Sequence, residues 1–116
     1  MSTTVVKEIG SLVPTFKEDK IVILFGPQAP DELREMSVIH EFQDLEEQPL
    51  RVGGTITFDD QSYTIQAVGS KANQNLNELG HISIYFKDEL DVLPGAICVG
   101  PDVFPKLTEG TVISIK

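Results

Sequence analysis

The sequence predicts an all-β domain, a small barrel or sandwich-like barrel of about seven or eight short strands with one short helix near residues 71–79. Two patterns support this prediction. Short stretches with alternating polarity or many β-branched residues recur along the chain, and Gly, Pro, Asp and Asn separate them. Prolines lie between these stretches, where a missing N–H removes no hydrogen bond from a sheet. The length of 116 residues suits a single domain over residues 1–116.

The predicted strands follow one another along the whole chain. In chain order they are Val5–Ile9, Ile21–Phe25, Ser37–Phe42, Thr55–Phe58, Tyr63–Val68, Ile82–Phe86, Ala96–Val99 and Thr111–Ile115. Asp59, Asp60 and Gln61 fit a tight hairpin loop between the fourth and fifth strands, because Asp suits turn geometry. A short helix or turn is expected around Asp31–Met36, beginning at Pro30.

Residues 71–79 depart from the strand pattern and predict a helix. Their apolar side chains fall at i, i+4 and i+7, on one helical face: Ala72, Leu76 and Leu79. Ser70 is a candidate N-cap, and Gly80 is a candidate left-handed residue after the last turn. Such a short helix is not stable alone, so we expect it to dock its leucine face on the barrel.

Charge and composition narrow the classes of function. Eighteen Asp and Glu against nine Lys and Arg give a net charge of −9, which repels nucleic acid and anionic membranes. This charge is interpreted as a solvated acidic surface or as a field that steers basic partner proteins. No apolar run approaches the roughly 18–20 residues that cross a bilayer, and the first residues do not resemble a secretory signal. The sequence is therefore typical of a cytoplasmic protein.

Common catalytic motifs do not occur in the sequence. We find no phosphate-binding glycine loop, no CxxC and no closely spaced histidine pair. The two histidines and the single cysteine are poor material for a catalytic zinc ion, which takes about three protein ligands. Cys98 lies in an apolar strand and is interpreted as a small hydrophobic residue. We therefore expect no metal or other cofactor, and two histidines remain as candidates for chemistry.

His40 is the candidate nucleophile. In its predicted strand, Val38, His40 and Phe42 share one face, and Glu41 lies on the other. The imidazole is then expected in an apolar patch, without a neighbouring carboxylate to repel an incoming phosphoryl group. A histidine with an ordinary pKa of about 6.5 is largely unprotonated near neutral pH and can attack phosphorus. A hydrogen-bonded structural histidine explains the same spacing, so the pattern alone does not decide.

His81 is the second candidate, and it opens the predicted strand Ile82–Phe86. The apolar residues of that strand share one face, so His81 is expected to point the other way. It is interpreted either as a surface or capping histidine or as a supporting group that orients His40 or binds a phosphoryl oxygen. A phosphohistidine needs several hydrogen-bond donors. In an acidic chain, the neutral side chains of Ser70 and Asn75 are candidates to bind the phosphoryl group.

Residues 68–81, VGSKANQNLNELGH, carry a resemblance to a known family. The matching positions are Val68-Gly69-Ser70, Ala72, Asn75-Leu76 and Glu78-Leu79-Gly80-His81, followed downstream by Pro94-Gly95, Gly100-Pro101 and Gly110-Thr111-Val112. On these residues the chain resembles the glucitol/sorbitol-specific enzyme IIA family of the bacterial sugar phosphotransferase system. The resemblance extends over nearly the whole chain.

The resemblance implies a phosphorelay step. Such proteins accept a phosphoryl group on a histidine from phosphorylated HPr and pass it to the IIB component of a glucitol permease, whose IIC component belongs to the same transport system. The family's phosphorylated histidine matches His40, and His81 matches a recurrent position with a supporting role. No metal or nucleotide is implied, because the phosphohistidine donor is already activated. This expectation requires that a protein donor can reach the His40 ring.

The residues leave two other functions open. One is a non-catalytic β-barrel interaction or regulatory module that is related to this family. The other is a ligand-binding barrel, which a deep apolar pocket would support.

Overall fold

A computed structural model describes residues 1–87 and 91–116, and in this part of the chain eight strands close into a barrel. The strands are β1 (Ser2–Ile9), β2 (Ile21–Phe25), β3 (Val38–Asp44), β4 (Thr55–Phe58), β5 (Gln61–Val68), β6 (Ile82–Tyr85), β7 (Ala96–Gly100) and β8 (Val112–Ile115). Around the barrel their order is β1-β3-β2-β6-β7-β5-β4-β8, and β8 pairs back with β1. The β2–β3 and β6–β7 pairs are parallel, and the other neighbours are antiparallel. The all-β prediction is confirmed.

Each of the eight predicted strands is present, although several bounds differ. β1 begins at Ser2 instead of Val5, because the first residues pair with β8 on one side and β3 on the other. The predicted hairpin between β4 and β5 is also present. Phe58 pairs with Gln61, so Gln61 belongs to β5 and the loop consists of Asp59 and Asp60 alone.

The main helix, α2, spans Ala72–Leu79. The prediction that Ser70 caps it is wrong: the N-cap is Lys71, without a side-chain hydrogen bond. Docking of α2 on the barrel supplies the stability instead, since Ala72 and Leu76 are buried. Leu79 was predicted on the same buried face, but its side chain is 41% exposed.

The end of α2 follows the predicted glycine geometry. Gly80 has φ +66°, and its N–H donates to the carbonyl of Leu76. The next N–H, that of His81, donates to the carbonyl of Asn75. These two bonds turn the chain sharply from α2 into β6.

Two shorter helical segments accompany the barrel. The expected turn after Pro30 is α1 (Asp31–Arg34), shorter than the predicted Asp31–Met36. A 3-10 turn at Val13–Lys17 has no counterpart in the prediction.

Apolar side chains fill the barrel, and a small second cluster lies outside it. The inner cluster includes the fully buried residues Leu24, Ile56, Phe58, Ile65, Leu76, Ile82, Ile84, Phe86, Ile97 and Ile113. The outer cluster consists of Phe25, Ala29 and Ile39, with Leu33 of α1 packed against it. The start of β3 is therefore covered on both faces of the barrel wall, and the side chain of His40 lies on the inner side of that wall.

Candidate functional site

His40 lies on the inner face of β3, with its side chain 1% exposed. The predicted alternation is observed, because Val38 is buried, Phe42 is partly buried and Glu41 is exposed. The Phe42 ring meets the imidazole edge-on, with 5.0 Å between ring centroids. The imidazole thus lies in apolar surroundings, and the one carboxylate next to it in sequence points away.

Both ring nitrogens of His40 are hydrogen-bonded. Nε2 is 2.6 Å from the carbonyl oxygen of Gly80, and Nδ1 is 2.6 Å from Oγ1 of Thr4. A carbonyl oxygen only accepts, so Nε2 carries the proton and donates it. Nδ1 then holds the lone pair and accepts the Thr4 hydroxyl proton. The expectation of a ring open to a protein donor is therefore wrong for this structure.

Strand register brings Thr4 to His40. In the β1–β3 pair, Val6 lies opposite His40 and Thr4 lies opposite Phe42. Thr4 is therefore the diagonal neighbour of His40 on the inner face, within reach of its side chain. Thr4 itself is 1% exposed, so this end of the imidazole faces the interior of the barrel.

The other end of the ring meets the turn after α2, which several donors fix in place. The carbonyl of Leu79 accepts the N–H of Gly26 at 3.0 Å and the side-chain amide of Gln28 at 2.7 Å. A Cβ on Gly80 would lie 2.9 Å from the Gly26 nitrogen and 3.3 Å from His40 Nε2. The end of β2, the end of α2 and the imidazole therefore converge so closely that a side chain at this position would force the backbone of Gly26 to shift.

Burial sets the protonation of His40. Desolvation lowers the pKa of the imidazole below its usual 6.5, and the hydrogen bond to Gly80 opposes this with a smaller effect. The ring is therefore neutral near pH 7, with one nitrogen protonated. A neutral imidazole is the nucleophilic form, but its available lone pair lies on Nδ1, beneath the Thr4 hydroxyl.

His81 lies on the outside of the barrel wall. Its ring stacks on Phe25, with centroids 4.5 Å apart and ring planes 20° from parallel. The following residues Ile82 and Ile84 are buried in the barrel, so the predicted division of faces is observed. The side chain of His81 is partly exposed, and desolvation lowers its pKa. The two hydrogen bonds of the His40 ring go to Thr4 and Gly80, not to His81. The two histidines are connected through Gly80, whose carbonyl accepts from His40 and which precedes His81 in the chain.

Ser70 and Asn75 do not supply the hydrogen bonds of the His40 ring. Ser70 is exposed just before α2, whose eight residues span about 12 Å. It therefore lies at the opposite end of the helix from Gly80. The side-chain amide of Asn75 lies beside Gly95, where a Cβ would be 3.0 Å from its nitrogen.

Two residues that contact the His40 ring were missed by sequence reasoning. Thr4 lay just outside the predicted first strand, which began at Val5. Had that strand been extended by its alternation, Thr4 would have been placed on the same inner face as Val6. Gly80 was recognised for its left-handed geometry, but the role of its carbonyl depends on how α2 docks.

Within residues 1–87 and 91–116, no three His, Cys, Asp or Glu side chains are placed to share a metal ion. No helix in those ranges is long and apolar enough to span a membrane. A cavity of about 380 Å³ lies against β7, lined by Tyr85, Asp91, Val92, Leu93 and Cys98, and its lining does not include His40.

Comparison with known proteins gives a consistent result in sequence and in structure. Residues 1–114 match the family described as the PTS system glucitol/sorbitol-specific IIA component. Proteins described as the PTS system glucitol/sorbitol-specific EIIA component, from Shigella flexneri and Escherichia coli (strain K12), are each 30% identical over 114 residues, which is 97% of this chain and 92% of the relative. The crystal structure of a PTS system IIA component from Enterococcus faecalis V583 superposes with a TM-score of 0.87 at 34% identity, covering 97% of this chain and 98% of that one.

Proposed function

Since this chain belongs to the glucitol/sorbitol-specific IIA component family of the phosphotransferase system, and is thereby a phosphocarrier of sugar uptake, we propose that His40 is the residue that accepts the phosphoryl group. The donor in this proposal is phosphorylated HPr. The recipient is the IIB component of a glucitol/sorbitol permease, and the relay operates in the cytoplasm. His81 has a supporting role at the same edge of the barrel.

The environment of the imidazole is the observation that supports His40. Its pKa is lowered by burial, so the ring is neutral and its charge does not oppose nucleophilic attack. The Thr4 end of the ring is enclosed in the barrel, whereas Gly80, which covers Nε2, is partly exposed. Nε2 is therefore the nitrogen that faces the surface, and the proposal assigns the phosphoryl group to it.

Transfer requires that the Gly80 carbonyl move away from Nε2. The reacting nitrogen and phosphorus must approach to about 3–3.5 Å, and the carbonyl oxygen now occupies that direction at 2.6 Å. When the turn opens, water enters around the ring, and Nε2 releases its proton to that water while Nδ1 takes one from it. The ring stays neutral, and its lone pair now lies on Nε2.

The chemical step is an in-line displacement between two imidazoles. Nε2 of His40 forms a bond to phosphorus while the bond between phosphorus and the donor imidazole breaks, and the electron pair of that bond remains on the donor nitrogen. Positioning and electrostatics supply most of the catalysis in such transfers. The same face then meets the IIB component, where a nucleophile of IIB forms a bond to phosphorus while the bond between phosphorus and Nε2 of His40 breaks. Because two partners share this face in turn, their interfaces are expected to stay below roughly 1,600 Å² in total.

A relay assay tests the proposal. The protein is incubated with enzyme I, HPr and labelled phosphoenolpyruvate, and acid-labile phosphate is measured over time. His40→Ala is expected to abolish labelling, and His40→Gln serves as a variant that leaves a smaller cavity in the core. His81→Ala is expected to retain labelling at a lower rate. Circular dichroism of each variant checks that the barrel is folded.

Two results would contradict the proposal in different ways. Labelling that survives in folded His40 variants but is lost in His81→Ala would assign the phosphoryl group to the partly exposed ring of His81. A wild-type protein that accepts no label would favour the non-catalytic interaction module.

A further inference from the structure

We infer that Thr4 is the positioning residue for His40 in phosphoryl transfer, an inference that rests on the proposed function of His40. Its Oγ1 is 2.6 Å from Nδ1, and both side chains are 1% exposed. This hydrogen bond holds Nδ1, at the end of the imidazole opposite to the proposed reacting nitrogen Nε2. Thr4 does not touch the phosphoryl group and acts through the ring.

Backbone pairing fixes the Thr4 hydroxyl at this place. β1 pairs with β3 on one side and with β8 on the other, and Thr4 itself lies opposite Phe42 and Ile113. A β-branched side chain in a strand has few rotamers, so little freedom remains for Oγ1. The hydroxyl is thus presented to Nδ1 by the register of the strands and not by a flexible loop.

A hydroxyl suits this position because the imidazole must exist in two tautomers. At rest Nε2 carries the proton for Gly80, and Nδ1 accepts a hydrogen bond. In the form that accepts the phosphoryl group, the proton is on Nδ1 and the lone pair is on Nε2. A hydroxyl can donate to Nδ1 in the first tautomer and accept from it in the second, merely by rotating its hydrogen.

Neither an apolar side chain nor a carboxylate can serve both forms. Valine has the shape of threonine but leaves Nδ1 without a partner in either tautomer, and an unpaired buried nitrogen is unfavourable. A carboxylate could hold a proton on Nδ1, but its charge would repel the incoming phosphoryl group. Thr4 therefore keeps the ring in one orientation, with Nε2 directed toward the surface, before and after transfer.

The test compares Thr4→Val with Thr4→Ser in the relay assay. Thr4→Val removes the hydroxyl at nearly constant shape and is expected to slow phosphoryl acceptance roughly tenfold, the loss of about one hydrogen bond to the ring. Thr4→Ser keeps the hydroxyl and should react close to the wild-type rate. Thr64→Val, at an exposed position on β5, is the matched control and should leave the rate unchanged.

A spectroscopic measurement separates positioning from a structural role. In ¹⁵N NMR of the phosphorylated wild type, the Nδ1–H of His40 should appear as a slowly exchanging proton, held by Thr4. The same signal is expected in Thr4→Ser and should be lost to exchange in Thr4→Val. Failure to detect a protected Nδ1–H in the wild type would overturn the inference without reference to any variant.

The outcomes distinguish this inference from the proposed function. Labelling that is lost in His40→Ala but unchanged in Thr4→Val would overturn the role of Thr4 alone. A Thr4→Ser variant as slow as Thr4→Val would also overturn it, because the hydroxyl would then be irrelevant. Labelling that persists in His40→Ala would overturn the choice of acceptor and the role of Thr4 together.

Discussion

Gly80→Ala probes the turn that covers the proposed acceptor. Gly80 has φ +66°, in the left-handed region that disfavours residues with a side chain. An added Cβ would lie 2.9 Å from the Gly26 nitrogen, 3.0 Å from the Gly26 Cα and 3.3 Å from Nε2 of His40. The first two atoms belong to the backbone, so they cannot move without disturbing β2. The substitution should therefore destabilise the barrel through both backbone strain and crowding.

The expected loss in the free energy of unfolding is the sum of these two contributions. The left-handed conformation costs about 1–2 kcal/mol for a residue with a Cβ, and crowding in a packed site costs about 1–3 kcal/mol. Gly80→Ala is thus expected to lower the free energy of unfolding by about 2–5 kcal/mol. Gly53→Ala is the matched control, because Gly53 has φ +88° and a Cβ there would meet no atom within 4 Å. It should lose only the backbone contribution, about 1–2 kcal/mol.

Urea denaturation of the three proteins at one pH and 25 °C measures these differences through the midpoint and slope. Gly80→Ala should unfold at a clearly lower urea concentration than Gly53→Ala. The φ of Gly53 lies further from the left-handed minimum, so the control carries at least as much backbone strain. Equal losses in the two variants would refute the reasoning, because the close approach of Gly80 to Gly26 and His40 would then have no energetic consequence.

Two further predictions concern protonation and packing. Burial lowers the pKa of both histidines in the folded protein. Between that lowered pKa and about 6.5 the unfolded chain binds more protons than the folded one, so the free energy of unfolding falls as pH decreases. Urea midpoints at pH 7.5 and 5.5 should therefore differ less in His40→Gln than in the wild type, and an equal difference would contradict the assignment to His40. Leu76→Ala removes a side chain that is 1% exposed and should lower the free energy of unfolding by about 2–5 kcal/mol. Leu79→Ala, at a residue that is 41% exposed, should change it by only about 0.5 kcal/mol. Urea denaturation of both variants measures this contrast, and similar losses would contradict the docking of α2 through Leu76.

Local pattern predicted the strands well because each strand has one face toward the core. Ile21–Phe25 and Thr55–Phe58 were predicted with the bounds that the structure shows. The strand order could not be predicted in this way. The parallel pairing of β2 with β3 joins Leu24 to Val38 across a segment with its own helix, and nothing in the alternation of either strand specifies that partner.

The site was predicted less completely, and for the same physical reason. Alternation within β3 correctly placed His40 on the inner, apolar face, away from Glu41. The contact with Thr4 depends on the register between β1 and β3, including a shift in pairing between Val6 and Glu8. The contact with Gly80 depends on the docking of α2. Both contacts join segments distant in sequence, so a pattern within one segment cannot reveal that the ring is covered.

Burial of His40 is energetically compatible with its use by a protein donor. The turn is anchored mainly through other atoms: Leu79 accepts hydrogen bonds from Gly26 and Gln28, and the N–H of Gly80 donates to Leu76. The Gly80 carbonyl shares its peptide plane with the His81 N–H. Turning it away therefore breaks the hydrogen bond to Nε2 and also that from His81 to Asn75, each worth about 0.5–1.5 kcal/mol net. Their sum of about 1–3 kcal/mol corresponds to a covered form favoured about five- to 160-fold over an open one. A donor that binds the open form some thousandfold more tightly would make it the main form in the complex. Between encounters, the covered ring stays neutral with Nε2 protonated, and the change of tautomer that frees the Nε2 lone pair follows only when the turn opens.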